Sequence, residues 1–129
     1  MRLLLDTHAL LWWFDELPAL SSAARAAIAS AAPRSVLVSS VTAFEIATKH
    51  ATGKLGGMAP LLAGFDRMLA EQRFAPLPVE MRHAVAVADL PMHHRDPFDR
   101  LLIAQARVEG LTLVSIDDKF DRYEVPRLW

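Results

Sequence analysis

The amino-acid sequence predicts an α/β protein, a three-layer α/β/α sandwich with a mostly parallel central sheet. Two observations carry that expectation. Short apolar runs, partly β-branched, recur at Leu3–Leu5, Val36–Val38 and Leu111–Ile116, as in parallel strands buried on both faces. Between them lie longer stretches of helical patterning, so strand and helix alternate as in βαβ units.

The first run ends at Asp6 and passes into Thr7–Phe14, a short helical segment crowded with Leu10, Leu11, Trp12, Trp13 and Phe14. Most of these side chains read as core. Two adjacent tryptophans cannot both face inward on one helix, however, so the segment also offers aromatic surface to a partner. Ser21–Ala32 reads as the next helix, followed by the Val36–Val38 strand. Ser40–Thr52 is a helix with Ser40 placed to cap it, and Gly53, Gly56 and Gly57 mark the loop beyond. Pro60–Arg73 reads as one helix. Phe74–Val79 is a weaker strand, confined to a sheet edge by Pro76 and Pro78. Glu80–Ala88 and Pro97–Glu109 complete the helices. The second has Asp96 as its cap, Pro97 in its first position and Gly110 at its close.

With 129 residues, the chain reads as one domain over 1–129, long enough to bury a core without staples. A hydrophobic content of 53% leaves apolar surface for a partner. The formal net charge of −1 gives no global basic field, so nucleic-acid contact would depend on local Lys and Arg. The absence of cysteine excludes disulfides and thiolate metal sites. No apolar run approaches the roughly 18 residues needed to span a bilayer. Asp6 and His8 break the first apolar run, which makes it a poor signal peptide. A cytoplasmic protein without membrane contact is expected.

Four stretches carry the candidate chemistry: LLLDTH, TAFEIATKH, HRDPFDRLLIAQA and LVSIDDKF, with Asp6, Glu45, Asp96, Asp99, Asp117 and Asp118. Each acid has a plain structural reading. Asp6 and Asp96 can cap helices, Glu45 can pair with Lys49 one turn on, and Asp117 and Asp118 can be turn residues. Asp99 falls in a first helical turn, where the helix dipole favours a carboxylate. The plain readings weaken when taken together. Asp6 and Asp117 each follow a strand directly, and sites in open parallel sheets form at the strands' carboxyl ends. Two unit charges about 4 Å apart repel by roughly 4 kcal/mol at an effective dielectric near ~20. Converging carboxylates must therefore take up protons or hold a hard cation. Oxygen ligands favour Mg²⁺ or Mn²⁺ over zinc. No cysteine, GxSxG elbow or Gly-rich phosphate loop offers another nucleophile or phosphate cradle, which leaves metal-assisted hydrolysis. His50 and His83 read as surface or packing residues. His93 and His94, in the loop before Asp96, are placed to touch substrate or the outer edge of the site rather than to bind metal.

The order Asp6-Thr7, Phe44-Glu45-Ile46 with Lys49, Gly53-Lys54-Leu55, Asp96-Pro97-Phe98-Asp99-Arg100-Leu101-Leu102-Ile103-Ala104-Gln105-Ala106, then Ser115-Ile116-Asp117 with Phe120 resembles the PIN-domain ribonucleases. It looks closest to the VapC-type toxins of bacterial toxin–antitoxin pairs. The resemblance covers nearly the whole chain, and DPFDRLLIAQA is its most specific piece. It implies a PIN-like sandwich and a Mg²⁺- or Mn²⁺-dependent endoribonuclease site. Carried over by position, its acids are Asp6, Glu45, Asp99 and Asp117. Thr7 and Ser115 fall at the accompanying hydroxyl positions, and Asp96 at an extra acidic position that caps, supports metal, or both. The resemblance further implies an antitoxin partner protein and a homodimer. Lys49, Lys54, Arg95 and Arg100 flank the acids and could hold RNA phosphates. Lys49 and Arg100 stand out because each shares a helix with an expected ligand. A DNA flap or structure-specific nuclease of the same fold is a rival reading, as is a non-catalytic protein-binding module whose acids are only caps.

Overall fold

The computed structural model describes every residue from Met1 to Trp129. At its centre is a five-stranded sheet in the order β3-β2-β1-β4-β5, with every neighbouring pair parallel. The strands are β1 (Leu3–Leu5), β2 (Val36–Ser39), β3 (Ala75–Leu77), β4 (Thr112–Val114) and β5 (Arg127–Leu128). β1 lies in the middle, with Leu3 in register with Val36 on one side and Thr112 on the other.

Strand side chains alternate between faces. Leu3, Leu5, Val36, Val38 and Val114 join one core; Leu4, Leu37, Ala75, Leu77 and Leu113 join the other. The first core is covered by α1 (Thr7–Phe14), α2 (Ser22–Ser30), α4 (Ala59–Ala63) and α5 (Phe65–Glu71), through Leu10, Ile28, Leu61 and Leu69. The second is covered by α7 (Pro97–Glu109), through Leu102, Ile103 and Ala106, with α6 (Met81–Ala86) packed against it. α3 (Ser40–Ala51) belongs to both, sending Ile46 to the first core and Val41 to the second. Helices on both faces explain why the strands are apolar without alternation. The expected three-layer sandwich is the observed one, and no helix is long and apolar enough to cross a membrane.

Several boundaries differ from expectation for local reasons. Ser39, not Ser40, caps α3: it ends β2 in extended conformation and its hydroxyl accepts the Val41 N–H at 3.0 Å. The stretch 60–73 breaks at Gly64, whose φ of −133° lies outside the helical range, giving α4 and α5. A 3₁₀ turn over Asp118–Tyr123 and the two-residue strand β5 have no periodic signature in the sequence. Trp12, Trp13 and Phe14 are partly buried against the core, with Trp13 tilted on Phe74 at 6.2 Å and bonded through its ring N–H to Gln72 at 3.0 Å.

Candidate active site

β1 runs directly into Asp6, whose backbone stays extended and donates its N–H to Val114 at 3.2 Å. The Asp6 carboxylate then caps α1 by accepting the Ala9 N–H at 2.8 Å. The capping reading is therefore correct, and it fixes the carboxylate at the carboxyl end of the sheet. Thr7, the next residue, donates its hydroxyl to Glu45 Oε1 at 2.6 Å, tying α1 to α3. Lys49 takes the other oxygen of Glu45, also at 2.6 Å. Asp6 and Glu45 are each 8% exposed.

The other wall comes from α7 and the end of β4. Asp96 caps α7, with its Oδ1 accepting the N–H groups of Phe98 at 2.8 Å and Asp99 at 3.2 Å. This places Asp99 in the first turn, facing the site. Ser115 is fully buried; its hydroxyl bonds Asp6 and accepts the Asp117 N–H at 3.0 Å. Asp117 accepts the Lys119 N–H on Oδ1 at 3.0 Å, as a turn residue does, and leaves Oδ2 toward His94 in the loop before α7.

Charge shows that these groups share one space. Burial pushes the Asp6 carboxyl up, with Glu45 adding to the effect, against the hydrogen bonds from Ser115 and Ala9 and the charge of His8. Burial, then the negative charges of Asp96, Glu45, Asp6 and Asp117, push Asp99 up to about 7. The structure thus brings Asp6, Glu45, Asp96, Asp99 and Asp117 together, along with Thr7, Ser115 and Lys49.

Two residues differ from expectation. His94 lies inside the acidic group, with Nε2 at 3.0 Å from Asp99 Oδ2 and 3.5 Å from Asp117 Oδ2. Its Nδ1 accepts the Asp96 N–H at 3.2 Å, so the neutral ring carries its hydrogen on Nε2, toward the acids. That N–H is buried and is not aligned on either oxygen, so the contact is close without being an in-line hydrogen bond. His94 thus shares one space with Asp99 and Asp117, the candidate ligand atoms of all three lying within 4.8 Å of one another. The signal available in the sequence was the His-x-Asp spacing before the cap. His93 instead turns its ring edge toward Tyr123 at 5.3 Å.

Arg100 is the correction among the expected phosphate-holding residues. It is buried, and its guanidinium donates to the carbonyls of Val87, Leu90, Pro91 and His94 at 2.9–3.3 Å. Its two terminal nitrogens are turned inward and fasten the loop that carries His94, which leaves only the Nε–H for any phosphate. Lys49 remains at the rim, its side chain 39% exposed beyond its pairing with Glu45.

The donor set fits a hard divalent cation. Every anionic donor is a carboxylate oxygen, and Asp99 holds its proton to near neutrality because burial and the surrounding carboxylates disfavour its ionised form. The two roles of Asp96 can be separated. Asp96→Ala is expected to cost about 1 kcal/mol through loss of the cap, whereas Asp96→Asn keeps the cap. Both should bring Asp99 below 7, as read by carboxyl NMR titration alongside urea denaturation.

The PIN domain family model matches residues 3–126. Ribonuclease VapC22 of Mycobacterium tuberculosis is 31% identical over 124 residues, covering 96% of this chain and 93% of that protein. Among solved structures, VapBC2 from Rickettsia felis, bound to a DNA fragment from its promoter, has a chain that superposes with a TM-score of 0.70 at 16% identity, covering 98% of this chain and 97% of that one. A chain of FitAcB from Neisseria gonorrhoeae gives a TM-score of 0.69 at 19% identity, covering 98% and 96%. The two structural likenesses establish shared fold, while the family model and the curated relative extend to ancestry. This chain belongs to the PIN-domain family.

Proposed function

We propose that the protein is a Mg²⁺- or Mn²⁺-dependent endoribonuclease, the toxin of a type II toxin–antitoxin module. The observation that carries this reading is the convergence of Asp6, Glu45, Asp99 and Asp117, drawn from four separate elements, at one end of the sheet. The naming of the relative as a ribonuclease, and of the structural neighbours as two-protein toxin–antitoxin complexes, supports it.

Asp6, Glu45, Asp99 and Asp117 would hold the ion, directly or through water. Bound there, a divalent ion would lower the pKa of the attacking water and neutralise charge on the phosphate. The remaining residues prepare the donors. Thr7 and Lys49 fix both oxygens of Glu45, Ser115 steadies Asp6, and the Asp96 cap sets the turn from which Asp99 projects. The His94 N–H lies against Asp99 and Asp117, restraining two carboxylates that would otherwise repel. Lys49 can meet a phosphate at the rim. A small antitoxin and a second copy of the chain are the partners of this reading, and the cytoplasm is its setting.

Incubating the protein with single-stranded RNA, single-stranded DNA and branched DNA, with Mn²⁺ or with EDTA, tests it. RNA should be cut only with the metal. Preferential cleavage of branched DNA would favour the DNA nuclease. No cleavage and no Mn²⁺ affinity would leave a binding module.

A further inference from the structure

On α3 and α7, the helices that carry Glu45 and Asp99, lies an open apolar groove of about 380 Å³, lined by Phe44, Phe98, Val79, Val41, Leu101 and Ser40 together with Pro97. The mechanism above uses none of them. Phe44 is 56% exposed, the only aromatic among the large exposed apolar side chains. Its ring lies 5.8 Å from that of Phe98 at an interplanar angle of 45°, so the two form a step rather than a closed stack. Each aromatic immediately precedes an acid of the site: Phe44 before Glu45, Phe98 before Asp99. Pro97 also lines a second hollow that contains Arg95. Arg95 is exposed and outside the ion pairs that occupy Lys49, Arg82 and Arg127. Ser40 accepts the Val79 N–H at 3.1 Å, which leaves its hydroxyl hydrogen free to donate.

We propose that this groove receives one unstacked base of a single-stranded RNA, with Phe44 as its stacking face and Arg95 on a neighbouring phosphate. The inference rests on the ribonuclease reading and names the substrate form. A nucleotide joins a flat aromatic face to an anion, and the surface offers an aromatic step, a polar donor and an unpaired cation in two hollows that meet at Pro97. Bases in a duplex remain stacked and paired, so their faces cannot enter such a groove; single strands can splay a base onto an aromatic side chain. Stacking is tolerant of base identity, so the groove selects for strandedness, and Ser40 is the group positioned to read a base edge.

The test uses an Asp99→Asn background, in which binding is read without cleavage, and a single-stranded oligoribonucleotide carrying 2-aminopurine. Stacking in the groove should quench its fluorescence when uridines flank the label, whereas the same label within a duplex, already quenched by its stacked neighbours, should show no change on adding protein. Phe44→Ala should weaken binding about tenfold or more and remove the quench, whereas Phe44→Tyr should restore both. Arg95→Ala should weaken binding and flatten its salt dependence. With the Asp99 carboxylate restored and Mn²⁺ present, Phe44→Ala should act on KM rather than on kcat. Unchanged affinity and quench in Phe44→Ala would overturn the inference. So would a shift from dimer to monomer in light scattering with RNA binding intact, which would assign the groove to a second copy. If the protein with Asp99 intact cuts no RNA, the ribonuclease reading fails, and the quench decides the groove separately.

Discussion

Asp99→Asn is expected to lower RNA cleavage by about 10²–10³-fold or more and, in metal-free protein at pH 8, to raise thermal stability. The second half follows from proton affinity. Asp99 binds its proton up to about 7 in the folded protein, against an ordinary value of 3.8. Between those values the unfolded chain has released a proton that the folded chain keeps. Folding stability therefore falls as pH rises through this window and is lowest above it. Asp6 moves in the same direction. The full shift corresponds to about 4 kcal/mol. The Asp99 side chain is 25% exposed and its charge is shared with neighbouring acids, so a gain of about 1–2 kcal/mol is expected from the substitution. Mn²⁺ should raise the melting temperature of the unsubstituted protein at pH 8 and raise that of Asp99→Asn much less. Melts at pH 5 and pH 8, with EDTA or Mn²⁺, measure this. A variant that melts lower than its parent at pH 8 in EDTA would count against repulsion among the acids.

Arg100→Ala should be the most destabilising single change near the site, at about 3–5 kcal/mol. One guanidinium serves the carbonyls of Val87, Leu90, Pro91 and His94, and it also reaches the Tyr123 hydroxyl at 3.5 Å. Removing it leaves these acceptors without their charged donor in a partly buried pocket, where such losses are largest. The Tyr123 hydroxyl, which accepts the His94 N–H at 2.6 Å, has a single hydrogen to donate and cannot replace donors to four carbonyls. Arg100→Lys should recover little, since an ammonium cannot fork across carbonyls on two sides. Urea denaturation measures the loss. Hydrogen exchange should show the loop from Val87 to Arg95 opening first. A cost under about 1 kcal/mol would show that the loop holds itself.

The sheet was legible in the sequence because its strands are buried on both faces. Leu3–Leu5 and Val36–Val38 announce themselves as unbroken apolar runs, and prolines mark the stretch around Ala75–Leu77 as an edge. β5 was not legible, since two residues carry no periodicity and Arg127–Leu128 is positioned by its neighbour β4. In the site, Asp6, Asp99 and Asp117 could be placed from the chain because each abuts the end of a strand or the start of a helix. His94 could not. Its ring position depends on Arg100 and Tyr123 holding the loop and on Phe120 stacking at 6.0 Å, contacts between segments that no local pattern encodes. Arg100 misled for a related reason: its charge and its place on α7 suggest an outward-facing group, and only the neighbouring loop shows otherwise.

The parallel order of the sheet sets β1 between a strand from early in the chain and one from late. Asp6 therefore leaves the ribosome long before its β4 neighbour and Asp117 have been made. A nascent chain can fold β1 against β2 and still lack one wall of its acidic centre. On the proposed reading, a chain that stops short of Asp117 lacks one of the four carboxylates, and a version truncated before β4 is expected to cut no RNA.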